Sequence, residues 1–299
     1  MNTSILKAVF LTARPSFLVL APVCILLGIS TSFTAEVEAT SHLAWFIFIG
    51  AVSAHICVNM LNEYGDFKSG LDLKTTKTPF SGGSGALPSQ PVAAKATLII
   101  GLIFLWLTVA IGIYFIYERS KLILPIGIIG ITLMVTYTKW INRMPILCLL
   151  SPGLGFGFLM VVGTHVLMTG QHAQLPWLIS FVPFFLVNNL LLLNQYPDIV
   201  ADASTGRRTF PIVYGTSISN AVYASFAITS YVLIFYYLYL GFIPRLSLIA
   251  LAPIACSLYS LFGAIKYGAS IGHHPRYLGA NVAAAILTPL LLAIAILYG

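Results

Sequence analysis

Two short polar stretches, 132 residues apart, hold most of the acids of this chain. The first reads Asn62-Glu63-Tyr64-Gly65-Asp66 and continues to Asp72. The second reads Asn194-Gln195-Tyr196-Pro197-Asp198 and continues to Asp202. Of eight acidic residues in 299, five lie here, each cluster closing a long apolar run where carboxylates are costly and mark function. Asn62 and Asp66 are four apart, as are Asn194, Asp198 and Asp202, so each set can line one side of a helix. Asn59, one turn earlier, extends the first face. Oxygen donors with no His/Cys constellation suit magnesium, which keeps several waters and bridges carboxylates to phosphate oxygens. Two such clusters brought together would make an acidic metal site at a membrane surface.

The bases and rings nearby extend that chemistry. Lys68, Lys74, Lys77, Lys139, Arg207 and Arg208 can neutralise a diphosphate leaving group. Tyr64, Tyr137 and Tyr196 offer ring faces to a developing cation. Taken singly, each base also reads as a cytoplasmic anchor and each tyrosine as part of an interfacial belt. A site of this kind at the end of an apolar bundle suits a substrate with a charged head and a long hydrocarbon tail.

The elements that must position these residues are membrane helices. Hydrophobic residues make up 59% of the chain and charged residues 8%, against about 25% charged in soluble domains. Nine continuously apolar runs, near 15–33, 43–61, 92–116, 122–137, 147–169, 175–193, 217–240, 246–267 and 277–298, predict an all-α, polytopic bundle of nine transmembrane helices around a central chamber. The first run reads as a span, too long for a cleavable signal. With the N-terminus inside, only Arg119, Lys121 and Arg245 of the fifteen Lys and Arg residues fall outside. No dense basic run supports a nucleic-acid partner. The four cysteines are scattered singly and read as reduced packing residues. Glu36 and Glu38 are expected in a solvated outer loop, Glu118 in a local pair with Arg119, and Asn188 and Asn189 between helices or in the chamber wall. Both clusters end spans four crossings apart, the pattern of a parallel internal repeat (62–72 and 194–209) within one domain spanning 1–299. Pro197 is expected to bend or end the sixth span.

At this point the chain resembles the UbiA superfamily of intramembrane prenyltransferases along nearly its whole length. The first motif of that family, Asn-x-x-x-Asp with a further Asp, is matched by Asn62, Asp66 and Asp72. The second is matched by Asp198, Asp202, Gly206, Arg207 and Thr209. Arg14-Pro15, Tyr137-Thr138 and Gly153-Leu154-Gly155-Phe156-Gly157 add to the likeness. The six-residue spacing of Asp66 and Asp72 resembles the menaquinone-type branch, which joins a polyprenyl chain to 1,4-dihydroxy-2-naphthoate. Glu63 stands where that branch often has Asp.

The resemblance implies that Asn62, Asp66, Asp72, Asn194, Asp198 and Asp202 hold Mg2+ on the diphosphate of an allylic polyprenyl donor. Tyr137 joins them as a catalytic residue. Arg207, Arg208, Lys74 and Lys139 would meet the diphosphate, Arg14 an acidic acceptor, and Asn59, Tyr64 and Tyr196 the substrates. The implied location is the inner (plasma) membrane, with the site toward the cytoplasm. The same family could instead use a 4-hydroxybenzoate-like or glycerol-phosphate acceptor. An ion-coupled transporter is the rival from another class, but transporters place charges at the bilayer midplane, often at broken helices, whereas these acids sit at helix ends. A membrane phosphotransferase would concentrate its acids in a single motif.

Overall fold

Every one of the nine apolar runs forms helix, and no strand occurs among the described residues. The structure, a computed structural model, describes residues 3–33 and 41–299. Glu36 and Glu38 lie outside the described residues. Helix α1 (Thr3–Thr12), continued by a 3-10 turn at Pro15–Phe17, meets α2 (Leu20–Ser32) at 45°. There follow α3 (Ser41–Lys68), α4 (Ala94–Glu118), α5 (Ile123–Thr136) and α6 (Pro145–Thr169). The chain closes with α7 (Gln174–Asn194), α8 (Phe210–Tyr239), α9 (Arg245–His273) and α10 (Pro275–Tyr298).

Among the described residues seven helical stretches are long and apolar enough to cross a membrane alone, against the nine apolar runs of the sequence. The bent pair α1–α2 makes an eighth if it is one span. With 14 residues, α5 extends about 21 Å, short of the ~30 Å hydrocarbon core. Hydropathy does not register the break at Arg14, whose φ of 52° is left-handed.

Helix boundaries decide where the acids sit. Nothing stops α3 at residue 61, so it carries Asn62, Glu63 and Asp66 in its last two turns. It ends at Gly70, whose φ of 76° suits the left-handed position just past a helix. By contrast, α7 stops at Asn194, ahead of Pro197. Asp198 then precedes a short helix, Ile199–Ser204, that contains Asp202.

The most buried of these spans is α7. Its Ile179, Val182 and Leu186 pack with Leu20, Cys24 and Leu27 of α2 and with Leu292 and Ala293 of α10. Polar residues stitch the helices together. Asn188 Oδ1 accepts from the Gly153 N–H (2.6 Å), and Asn189 Nδ2 donates to the Tyr223 carbonyl (2.9 Å). Arg119 donates to the Leu167 and Met168 carbonyls at the end of α6, while Glu118 stays exposed, so the expected local pair does not form. All four cysteines are free thiols.

Glycines set the contact between α6 and α7. A Cβ on Gly153 would lie 2.3 Å from the Phe184 carbonyl oxygen, and one on Gly157 2.7 Å from the Phe184 nitrogen. This small-xxx-small pair lets α6 and α7 approach backbone to backbone. Just there, residues Leu154–Val162 of α6 widen into a π-helix, a form that recurs at functional sites. Gly157→Ala is expected to cost about 1–3 kcal/mol through overpacking. Gly155→Ala, which meets nothing within 4 Å, should be neutral. Denaturant titration in detergent micelles, comparing the two variants, checks this.

Candidate active site

One guanidinium joins the two acidic clusters. Arg207 Nη1 donates to Asp202 Oδ1 at 3.1 Å, and Nη2 pairs with Asp66 Oδ1. The chain turns at Gly206 (φ 80°), and the Arg207 N–H returns to the Asp202 carbonyl (3.1 Å), which folds the side chain back over its own helix. Asn62 Nδ2 donates to the other oxygen of Asp66 (3.0 Å) and is itself held by Thr138 Oγ1 (3.1 Å). The ends of α3, α5 and α7 therefore meet at one end of the bundle.

A glycine-rich strap crosses this junction. The Gly82 N–H donates to Asp198 Oδ2 (3.0 Å), while Ser84 donates from its N–H (2.8 Å) and its hydroxyl (2.5 Å) to Glu63. Gly82, Gly83 and Gly85 all have positive φ. A Cβ on Gly83 would also press on Glu63 and Asp72, 3.2 and 3.3 Å away, so only glycine fits there. Glu63 is fully buried and also accepts from Arg14 Nε (2.7 Å). Arg14 is the only non-glycine with positive φ among the described residues. Asn59 Nδ2 pins the same bend through the Ala13 carbonyl (2.9 Å). Strain of this kind persists where the surroundings over-determine it.

Beneath the junction lies a cavity of about 570 Å3. Its mouth holds Arg14, Asn62, Asp66, Asp72, Tyr137, Asn194, Asp198, Asp202 and Arg207. Its interior is apolar, walled by residues such as Ile111, Met134, Phe156 and Leu159 from α4, α5 and α6. One stripe of α3 runs its length at helical spacing: Ile47, Ala51, Ala54, His55, Val58, Asn59, Asn62 and Asp66. From Ile47 to Asp66 that stripe covers about 28 Å.

Electrostatics at the mouth favour an added cation. Asp72 Oδ2, Asp198 Oδ1 and Asn194 Oδ1 are buried acceptors without a hydrogen-bond partner. Burial, and then the neighbouring acids Asp66 and Glu63, pushes the Asp72 carboxyl up to about 7. Burial and Asp202 push Asp198 up to about 7. Asp202 is raised by burial to about 6, with Arg207 offsetting only part of the cost. Arg207 is buried too, yet the two carboxylates hold its proton more tightly than usual. Among the described residues no three His, Cys, Asp or Glu side chains form a metal cluster by themselves. An ion would therefore draw on amide oxygens or on oxygens of a bound ligand as well.

Several residues singled out from the sequence stand away from the cavity. Tyr196 is fully buried, its hydroxyl donating to Asn220 Oδ1 (2.8 Å) within the packing of α7 and α8. Tyr64 packs toward α1 and lies under the Lys68 ammonium (5.9 Å). Lys139 covers the Trp140 ring (5.5 Å). Lys74 is exposed, 3.4 Å from Ser204 Oγ, and Arg208 is exposed with its N–H on the Asn142 carbonyl. Two contributors went unread as site residues. Glu63 had a signal in its place inside the first cluster, and Ser84 in the small-residue run around it.

Removing Glu63 leaves Arg14 unpaired beside a buried surface and strands both Ser84 donors. Glu63→Ala is expected to cost about 3 kcal/mol, measured by denaturant titration in micelles. A loss under about 1 kcal/mol would show the pair to be incidental.

Residues 19–271 match the model of the UbiA prenyltransferase family. A Bacillus subtilis protein named 1,4-dihydroxy-2-naphthoate octaprenyltransferase is 28% identical over 207 residues, covering 68% of this chain. The match spans 64% of that protein, just under two thirds of its length. A Haemophilus influenzae protein of the same name is 27% identical over 81% of this chain and 84% of its own. The solved structure of a UbiA homolog from Archaeoglobus fulgidus bound to DMAPP and Mg2+ superposes with a TM-score of 0.65 at 16% identity. That superposition covers 97% of this chain and 98% of the other. Since the family pattern runs through both acidic clusters and most of the bundle, the chain belongs to the UbiA prenyltransferase family.

Proposed function

We propose that this chain transfers a polyprenyl group from an allylic polyprenyl diphosphate to 1,4-dihydroxy-2-naphthoate, with Mg2+, in menaquinone-type quinone biosynthesis. The observation that carries the proposal is the Asp66–Arg207–Asp202 junction at the mouth of a long apolar cavity. An anionic head and a greasy tail find both their environments there. The Archaeoglobus homolog, bound to an allylic diphosphate and Mg2+, supports the donor class and the ion. The names of the Bacillus and Haemophilus relatives support the acceptor.

Asn62, Asp66, Asp72, Asn194, Asp198 and Asp202 are the residues that would hold Mg2+. The unpartnered oxygens of Asp72, Asn194 and Asp198 fit such an ion. When bound, Mg2+ would offset the charge that collects on the diphosphate as the C–O bond breaks. Arg207, kept cationic by Asp66 and Asp202, faces the same head group. The apolar walls would enclose the tail and keep water from the allylic carbon, so that a ring carbon of the acceptor attacks it as diphosphate departs and the ring then loses a proton to restore aromaticity. Tyr137 lines the mouth, where its ring can face the developing cation. The Lys and Arg bias supports an inside N-terminus and a cytoplasm-facing site in the inner membrane. Counting α1–α2 as one bent span and α5 as a short one completes nine crossings.

Asp66→Asn and Asp198→Asn are each expected to lower prenyl transfer at least about a hundredfold while the protein still inserts. Turnover like wild type, measured with labelled donor in proteoliposomes, would remove the proposed site. A panel with 4-hydroxybenzoate and glycerol phosphate beside the naphthoate identifies the acceptor.

The raised carboxyls give a pH dependence of definite sign. Asp72 and Asp198 hold their protons to about pH 7 in the metal-free fold, against about 4 in an unfolded chain. Their protonation therefore stabilises the metal-free protein below about pH 4, and that contribution fades as pH rises through about 7. Melting curves should show the loss, with Mg2+ restoring stability increasingly toward high pH. A Tm indifferent to both would count against these ligands.

A further inference from the structure

We infer that His55 is an acceptor-binding residue, its imidazole hydrogen-bonding a ring hydroxyl of an aromatic acid whose acidic group faces Arg14. The inference rests on the reading above and adds to it a residue that neither acidic cluster contains. His55 lies on the cavity stripe of α3, two turns or about 10 Å deeper than Asn62. Its side chain is nearly enclosed, at 5% exposure, and Nδ1 is buried with no partner. A polar atom left so costs stability unless something completes it. An isoprenoid tail carries no group able to do so. A hydroxyl does, since the neutral imidazole presents one donor and one acceptor.

The surroundings match a flat, hydroxylated acid. The His55 ring meets Phe156 edge-on, with centroids 4.8 Å apart, on the widened segment of α6. Phe17 and Ser16, from the turn after Arg14, line the same cavity. Arg14 lines the same cavity as His55, and among the described residues the one carboxylate it pairs with is that of Glu63. Thr108 and Ser151, also in the wall, bond carbonyls of their own helices (2.8 and 2.5 Å). Those hydroxyls are satisfied; the imidazole nitrogen is not.

Initial rates with labelled polyprenyl diphosphate and 1,4-dihydroxy-2-naphthoate, at saturating Mg2+, test the assignment. His55→Leu should raise the naphthoate KM about tenfold or more and leave the donor KM within about twofold, as expected when a buried polar contact is lost. His55→Gln, which keeps a hydrogen-bonding side chain, should return the naphthoate KM to within about threefold of wild type. Should His55→Leu fail to accumulate, His55→Phe preserves ring packing against Phe156 and carries the same comparison. An unchanged naphthoate KM, or equal rises for both substrates, overturns the proposal and leaves the prenyl-transfer reading standing. A wild-type protein that prenylates no aromatic acid overturns both.

Discussion

Arg207 sits between Asp66 and Asp202, and the rest of the site depends on that placement. Carboxylates buried at the end of an apolar bundle repel one another and resist ionisation. A guanidinium shared between them lets two helix ends, contributed by distant parts of the chain, close on each other without an unpaired charge. Among the described residues the acids do not form a metal cluster by themselves. Two of the oxygens are already taken by Arg207, and those left unpartnered, on Asp72, Asn194 and Asp198, are the ones open to an ion.

Around this centre the fold spends its special backbone conformations. Arg14 holds a left-handed φ, the Ser81–Gly85 strap uses several positive-φ glycines, and α6 opens into a π-helix beside the cavity. Each is fixed by a contact from another element: Asn59 and Glu63 hold the bend, Asp198 and Glu63 hold the strap. Glu63 thus links the α1–α2 break, α3 and the strap through one buried carboxylate.

Much of this was legible in the residues. Apolar runs gave the helices, and the i, i+4 spacing of Asn62 and Asp66 placed both on the cavity face. The meeting of the clusters followed from both ending spans that run the same way. Less accessible were features set by tertiary contact. Tyr196 shares its pentapeptide position with Tyr64, yet the break after Asn194 turns it into the packing against α8. Lys139 and Arg208 carry the same charge as Arg207, but only Arg207 follows a glycine turn that returns it to Asp202. Hydropathy also does not carry the details of the spans, the left-handed Arg14 in the bent α1–α2 pair and the shortness of α5.

The unbroken course of α3 has a further consequence. The residues that would grip the head group and those that line the chamber below it belong to one continuous helix, with Gly50, where a Cβ would lie 3.1 Å from Ile111 Cγ2, toward the far end. For a donor of the kind proposed, the tail is gauged some 28 Å from the bond that breaks. A tail one unit too long could not be absorbed by local give near the acids. It would displace the diphosphate from its grip, so discrimination by length would fall on turnover as much as on occupancy.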